Sequence, residues 1–402
     1  MQLRGITRKT AAALAALVTL SACSGTAGSA TSGTSGTSGT SGAATGAATG
    51  SATGSVTGPA ADPGANATTG PATAMGPSAG GPARQVAGAP SCTATARLIP
   101  SCGAWWGLAP EVFTGAQVER ALRGAEARMG AAADVLHVYH RGSELFPTKA
   151  EVRLARDPAR PRLLMVNWKP SLDRTWAEIA RGRLDARIDR LAGYLRRTFP
   201  ERFFLTLHHE PENDVDNAPG SGMRAADYAA MYRHVVLRLR EKGVRNAVMV
   251  MTWMGAPNWA AKSWFEQLYP GDDVVDWVAM DPYADDRVKD FDGLVNKTRE
   301  EKEFAQWPGF YRWMQLRFPG KPVMVAEWGV FERPKDPGFK RRFFESVARQ
   351  IKRYPQIKAL FYFDSPQAPR GDTSFDSDPG AGRAFTRLAR DPYFRSTPVP
   401  RP

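Results

Sequence analysis

From about residue 91 onward, short and continuously apolar runs alternate with longer segments in which apolar residues return every three or four positions. The short runs cover 103–108, 135–140, 163–168, 203–208, 247–253, 277–280, 323–327 and 359–363, and each is read as a β-strand. Between them, Leu184, Ile188, Leu191 and Leu195, and later Phe344, Val347, Ile351 and Tyr354, mark helices with one apolar face. Strands that are apolar at every position suit a parallel sheet covered on both sides. Eight such units in about 310 residues predict a closed (β/α)8 TIM barrel over 91–402. A doubly wound open sheet is the competing arrangement. It is disfavoured because the first strand runs through Trp105-Trp106-Gly107-Leu108-Ala109-Pro110, with no glycine-rich phosphate turn after it. No cofactor is expected.

The first ninety residues have a different texture. Arg4, Arg8 and Lys9 precede an apolar run from 11 to 20, the layout of an export signal and too short for a stable bilayer span. The run closes with Leu20-Ser21-Ala22-Cys23, which resembles a bacterial lipobox, so 1–22 is read as a lipoprotein signal peptide and Cys23 as the lipidated residue. A general secretory signal cut near Ala22 is the alternative; either reading places the protein outside the cytoplasm, anchored to the membrane or secreted. Residues 23–90 are Gly, Ser, Thr, Ala and Pro with Thr-Ser-Gly repeats, a composition unable to bury a core. As a flexible coil of about 65 residues this linker would hold the folded part about 45 Å from its anchor.

Composition adds three constraints. The remaining cysteines, Cys92 and Cys102, lie close together in an exported chain, which favours a disulfide between them. The net charge of +13 falls to about +10 once the leader is removed. The basic residues, such as Arg187, Arg190, Arg196 and Arg197, sit at helical spacings without interleaved aromatics, so no nucleic-acid partner is expected. A monomer is expected.

In a parallel barrel, catalytic groups come from strand ends. Two of the strand-like runs end in a glutamate: Leu205-Thr206-Leu207-His208-His209-Glu210-Pro211 and Val323-Met324-Val325-Ala326-Glu327-Trp328-Gly329. Two carboxyls brought to one rim are what glycoside hydrolysis requires. Other strand ends carry His140, Trp168, Trp253, Tyr283, Trp328 and Asp364, and a mouth with such aromatic and polar residues suits a sugar.

Four local patterns, taken in order, resemble the family 26 glycoside hydrolases, typified by β-mannanases. His209-Glu210 resembles the fourth-strand His-Glu pair, and 253–258 with Ala256-Pro257-Asn258 resembles the end of the fifth strand. The segment 269–273, with Val275-Asp276-Trp277-Val278 and Asp281-Pro282-Tyr283, is similar to the sixth-strand region, and 321–329 to the seventh. The resemblance implies a retaining enzyme in which Glu210 is the acid/base and Glu327 the nucleophile. It also implies a β-linked polysaccharide substrate, most simply β-1,4-mannan, and places His209 and Tyr283 beside the cleaved bond. Trp168, His140, Trp253 and Trp328 are expected to complete the substrate site, and a tryptophan-rich rim suggests an open, endo-acting cleft. The chain departs from the family at Glu210-Pro211-Glu212-Asn213 and at Phe361-Tyr362-Phe363-Asp364, where mannanases commonly place a tryptophan under the reacting sugar.

Glu212 is expected on the solvated surface, with contact to the sugar or capping of the next loop as alternatives, and Asp214 is a further nearby carboxylate. Asp281 and Asp364, at other strand ends, are equally candidates for orienting arginines or backbone amides and for touching substrate. A metal-dependent barrel hydrolase is a rival reading because His137, His140, His208 and His209 are four of five histidines. A first strand carrying Trp105 and Trp106 lacks the ligands such a site uses, and no metal is expected. A glycan-binding barrel without turnover is the second rival.

Overall fold

The computed structural model describes residues 92–297 and 306–400, so the signal peptide, Cys23 and the linker lie outside the described residues. Eight parallel strands close on themselves: Trp105–Pro110, Val135–Arg141, Leu163–Lys169, Phe203–Leu207, Ala247–Trp253, Trp277–Met280, Val323–Val330 and Ile357–Asp364. The first pairs with both the second and the eighth, and the sixth with the seventh through Val278 and Val323. This is the (β/α)8 barrel. Helices such as Asp185–Thr198, burying Ile188, Leu191 and Leu195, and Phe339–Gln350, burying Phe343, Phe344 and Val347, pack around it.

Side-chain parity divides the core in two. Trp105, Val135, Met165, Phe204, Val250 and Phe361 point into the barrel and fill its lower part. Their neighbours Trp106, Leu136, Val166, Leu205 and Met251 point outward into the much larger layer beneath the helices. Alternation is therefore present but hidden in the sequence, because both faces are apolar.

The seventh strand departs from simple alternation. Val325 aligns with Leu360 and Trp328 with Tyr362, so three steps on one strand face two on its neighbour. The extra residue is a β-bulge, and it sets Ala326 and Glu327 both on the inner side while Trp328 returns to the outer layer. Past the bulge the strand runs three residues beyond its predicted end, because Gly329 and Val330 pair with a two-residue strand, Tyr283–Ala284.

Cys92 and Cys102 are joined by a disulfide with 5.5 Å between Cα atoms, just before the first strand. Inside the barrel, Gly107 stands beside Phe361 in register, and a Cβ on Gly107 would come within 2.1 Å of that ring. The aromatic side chain occupies the space the glycine leaves. Gly107→Ala is expected to overpack the interior and lower stability by about 2 kcal/mol, read as a reduced denaturant midpoint; an unchanged midpoint would refute this packing.

Candidate active site

Above the apolar filling, the inward positions become polar. Tyr139, Asn167, Thr206 and Thr252 follow the inward parity of the second to fifth strands, with Thr206 and Thr252 hydroxyls 3.2 Å apart. Glu327, placed inward by the bulge and only 4% exposed, sits in this layer. Tyr139 donates its hydroxyl to Glu327 Oε1 at 2.8 Å, and Tyr283 donates to Oε2 at 2.9 Å. Tyr283 reaches it because Gly329 has no side chain: a Cβ there would lie 2.8 Å from the Tyr283 ring. The glycine of Glu327-Trp328-Gly329 thus has a packing role beside the carboxylate.

Glu210 comes from the turn that leaves the fourth strand. His208 and Glu210 have φ of 48° and 51°, left-handed values that cost non-glycine residues about 1–3 kcal/mol. Neighbouring contacts hold the turn there. Trp176 Nε1–H donates to His208 Nδ1 at 3.1 Å, so the ring proton sits on Nε2, which donates to Asp214 at 2.6 Å. Lys169 donates to the same Asp214 oxygen at 2.9 Å. Burial opposes the charge on Asp214, but hydrogen bonds from His208 and Lys169 outweigh it and hold the carboxyl well below its ordinary range. Pro211–Asp214 form a single 3-10 turn that carries Glu210 at its start.

The carboxyls of this region act on one another. Burial, then the charges of Glu327 and Glu212, push Glu210 well above the usual carboxylate range; its one side-chain donor is the Asn213 amide at 3.2 Å. Asp281, 2% exposed, is likewise driven up by burial and by Glu327 and Glu210, and neither of its oxygens makes a well-formed side-chain hydrogen bond. Burial also raises Glu327, to about 7, but the two phenols pull the other way. When protons are shared among these groups, the charge falls on the carboxyl with the best donors. That carboxyl is Glu327.

His209 completes the centre, its Nε2 3.7 Å from Glu327 Oε1. Burial, with help from His208 and Lys169, lowers its pKa to about 3, so it stands there as a neutral imidazole.

Four expected substrate contacts are elsewhere. His140, Trp168, Trp253 and Trp328 have outward parity and lie buried beneath the helices. His140 is held between Glu144 and Glu151, both 3.1 Å away, and although burial opposes its charge these partners push its pKa up to about 9. Trp168 donates to the Gly142 carbonyl, Trp253 packs against Trp313 and Phe318, and Trp328 packs against Trp106 and Tyr362. A position near a strand end does not decide which way a side chain faces. The argument for an open cleft from a tryptophan rim falls with them. The aromatic residues that stand beside Tyr283 and Tyr139 are Phe331, stacked on Tyr283 at 5.6 Å, and Phe363 with Phe113 against it.

Glu212 is also not on the surface: it is 1% exposed, accepts the Met254 amide at 3.0 Å, and burial pushes its pKa up to about 8. Asp364 takes a basic partner and a backbone amide, Arg128 at 3.3 Å and Phe375 N–H at 3.2 Å. The four histidines do not converge, since His140 faces outward, His208 is committed to Trp176 and Asp214, and His137 lies below Tyr139 without a side-chain partner. Among the described residues, one set of metal-competent atoms lies within 4.8 Å of one another, on His209, Asp281 and Glu327.

Tyr139 is a member of this centre to which the sequence reading gave no role, and Asp281 one for which it left substrate contact and a structural role equally open. Inward parity on the second strand, counted from Val135, would have singled out Tyr139.

Parts of the chain are similar to known proteins. Residues 179–306, from the helix before the fourth strand to beyond the sixth, match the model of glycosyl hydrolase family 26. Endoglucanase H of Acetivibrio thermocellus is 25% identical over 294 residues, 70% of this chain. The match spans only 29% of that larger protein. Among solved structures, a family 26 β-mannanase of Bacteroides ovatus is similar at 15% identity and a TM-score of 0.49, covering 73% of this chain and 90% of that one. A modular endo-β-1,4-mannanase of Cellulomonas fimi is similar at 17% identity and a TM-score of 0.49, covering 74% and 72%. The family match lies across the strands that deliver Glu210 and Asp281, so part of the chain, 179–306, is similar to glycosyl hydrolase family 26.

Proposed function

We propose that this protein is a glycoside hydrolase of family 26 that cleaves a β-linked polysaccharide, β-1,4-mannan being the first candidate, by double displacement with retention of configuration. The observation that carries the proposal is the unequal support of two interacting carboxyls. Glu327 has two phenol donors, whereas Glu210 has one amide and the repulsion of its neighbours. A retaining enzyme needs this inequality: one carboxylate to attack and one acid to protonate. In the first step a Glu327 oxygen bonds the anomeric carbon, the glycosidic C–O bond breaks, and the leaving oxygen takes the Glu210 proton. In the second, Glu210 removes a proton from water as that water attacks the anomeric carbon, and Glu327 leaves as a carboxylate.

His209, neutral and next to Oε1, is suited to bind a sugar hydroxyl close to the reacting carbon. The mannan assignment draws on the resemblance of the strand-end motifs to β-mannanases. The name of the curated relative, an endoglucanase, makes a β-glucan the second substrate to test. The lipobox-like Leu20-Ser21-Ala22-Cys23 supports an extracytoplasmic, lipid-anchored enzyme on a long tether.

Two outcomes follow. Residues 91–402 incubated with β-mannan and β-glucan should release sugars whose first-formed anomer, followed by NMR, is the β-form. Glu210→Ala should lower kcat/KM about a hundredfold to ten-thousandfold on unactivated substrate, and Glu327→Ala at least as much. An α-product, or full activity in either variant, would overturn the mechanism. The pH profile of kcat/KM should be bell-shaped. Glu327 must lose its proton, so activity rises as pH climbs toward about 7. Glu210 must keep its proton, so activity falls at higher pH as that raised pKa is passed. A profile flat from pH 5 to pH 9 would contradict the assignment.

A further inference from the structure

Of the two phenols on the nucleophile, Tyr283 is the one that the family resemblance sets beside the cleaved bond. The other comes from the opposite side of the barrel. Tyr139 is on the second strand, 188 residues from Glu327, and its hydroxyl lies 2.8 Å from Oε1. Two features tie it there. Its ring is stacked on His137 at 4.6 Å and edged by Phe363 at 6.4 Å, so it cannot swing away without opening the interior. Its hydroxyl, in turn, has Glu327 as its acceptor within the polar layer.

We infer that Tyr139 is a positioning residue for the nucleophile, fixing the plane of the Glu327 carboxylate by holding Oε1 while Tyr283 holds Oε2. The inference rests on the proposed role of Glu327. A carboxylate held by a single donor rotates about its terminal torsion, which is broad. Held at both oxygens from two different strands, it presents one lone-pair direction to the anomeric carbon, as pre-organised catalysis requires. Tyr139 also favours the charged form. The groups facing Glu327 are Glu210 and His209 from the fourth strand's end, Asp281 and Tyr283 from the sixth, and Tyr139 from the second, while Glu212 acts on Glu210 and Asp281 and His137 stacks on Tyr139. Of these, the two tyrosines are what lowers its proton affinity against burial.

The test is Tyr139→Phe, which removes one oxygen and keeps the ring, with Tyr139→His as a variant that restores a donor. In Tyr139→Phe, kcat should fall about tenfold or more, in line with loss of a hydrogen bond to a charged group. KM should change little, and the acid limb of the pH profile should move upward by about one unit, because Glu327 then holds its proton more tightly. Tyr139→His should recover part of kcat and return the limb toward the wild-type position. A merely structural role would lower the melting temperature of both variants and leave the limb where it was. A folded, active Tyr139→Phe with wild-type kcat and limb would overturn the inference while leaving the hydrolase reading intact. An inactive wild type, or an active Glu327→Ala, would instead defeat the reading on which it rests.

Discussion

Crowding of buried carboxyls at the barrel mouth is the constraint from which the rest of the site follows. Glu212, Asp281 and Glu327 are buried and Glu210 beside them is half-buried, and no lysine or arginine is among the groups that shift any of them. Like charges so placed cannot all ionise, so the protons must be divided. Two phenols decide the division in favour of a charged Glu327. The neighbouring carboxyls then stay protonated, and one of them, Glu210, is the acid of the proposed mechanism.

The fold delivers this arrangement with a few local departures from ideal barrel geometry. The bulge on the seventh strand turns Glu327 inward at a position where alternation alone would have sent it under the helices. The left-handed turn after the fourth strand carries Glu210 around the rim, and the Lys169, Asp214, His208 and Trp176 chain holds that turn in place. The turn costs backbone energy, and both departures lie at the groups to which the proposal gives the chemistry. Elsewhere the barrel follows the ordinary rules, with large side chains such as Trp105 and Phe361 inside and Trp106 and Trp168 outside.

Much of this was legible in the sequence. Eight apolar runs gave the eight strands, and the two glutamates at strand ends gave the pair at the centre, because burial on both faces and delivery from strand ends each leave a local signature. Facing direction left none. With both faces apolar, nothing near Trp168 or Trp253 distinguishes the barrel's interior from the layer under the helices. His140 looks like a sugar ligand until Glu151, eleven residues later, is found to hold it. Tyr139 sits inside a run read as plain strand, and its acceptor is almost half the chain away. Glu212, polar and after a proline, reads as surface, yet the turn folds it against the Met254 amide.

The proton division itself can be measured directly. With glutamate labelled with carbon-13 at the side-chain carboxyl, NMR titration of residues 91–402 should show three strongly shifted signals, assigned by Glu327→Gln, Glu210→Gln and Glu212→Gln. The Glu327 signal is expected to titrate first, near pH 7, with Glu210 following at higher pH. If Glu210 loses its proton first, the roles given to the two carboxyls are reversed and the account fails.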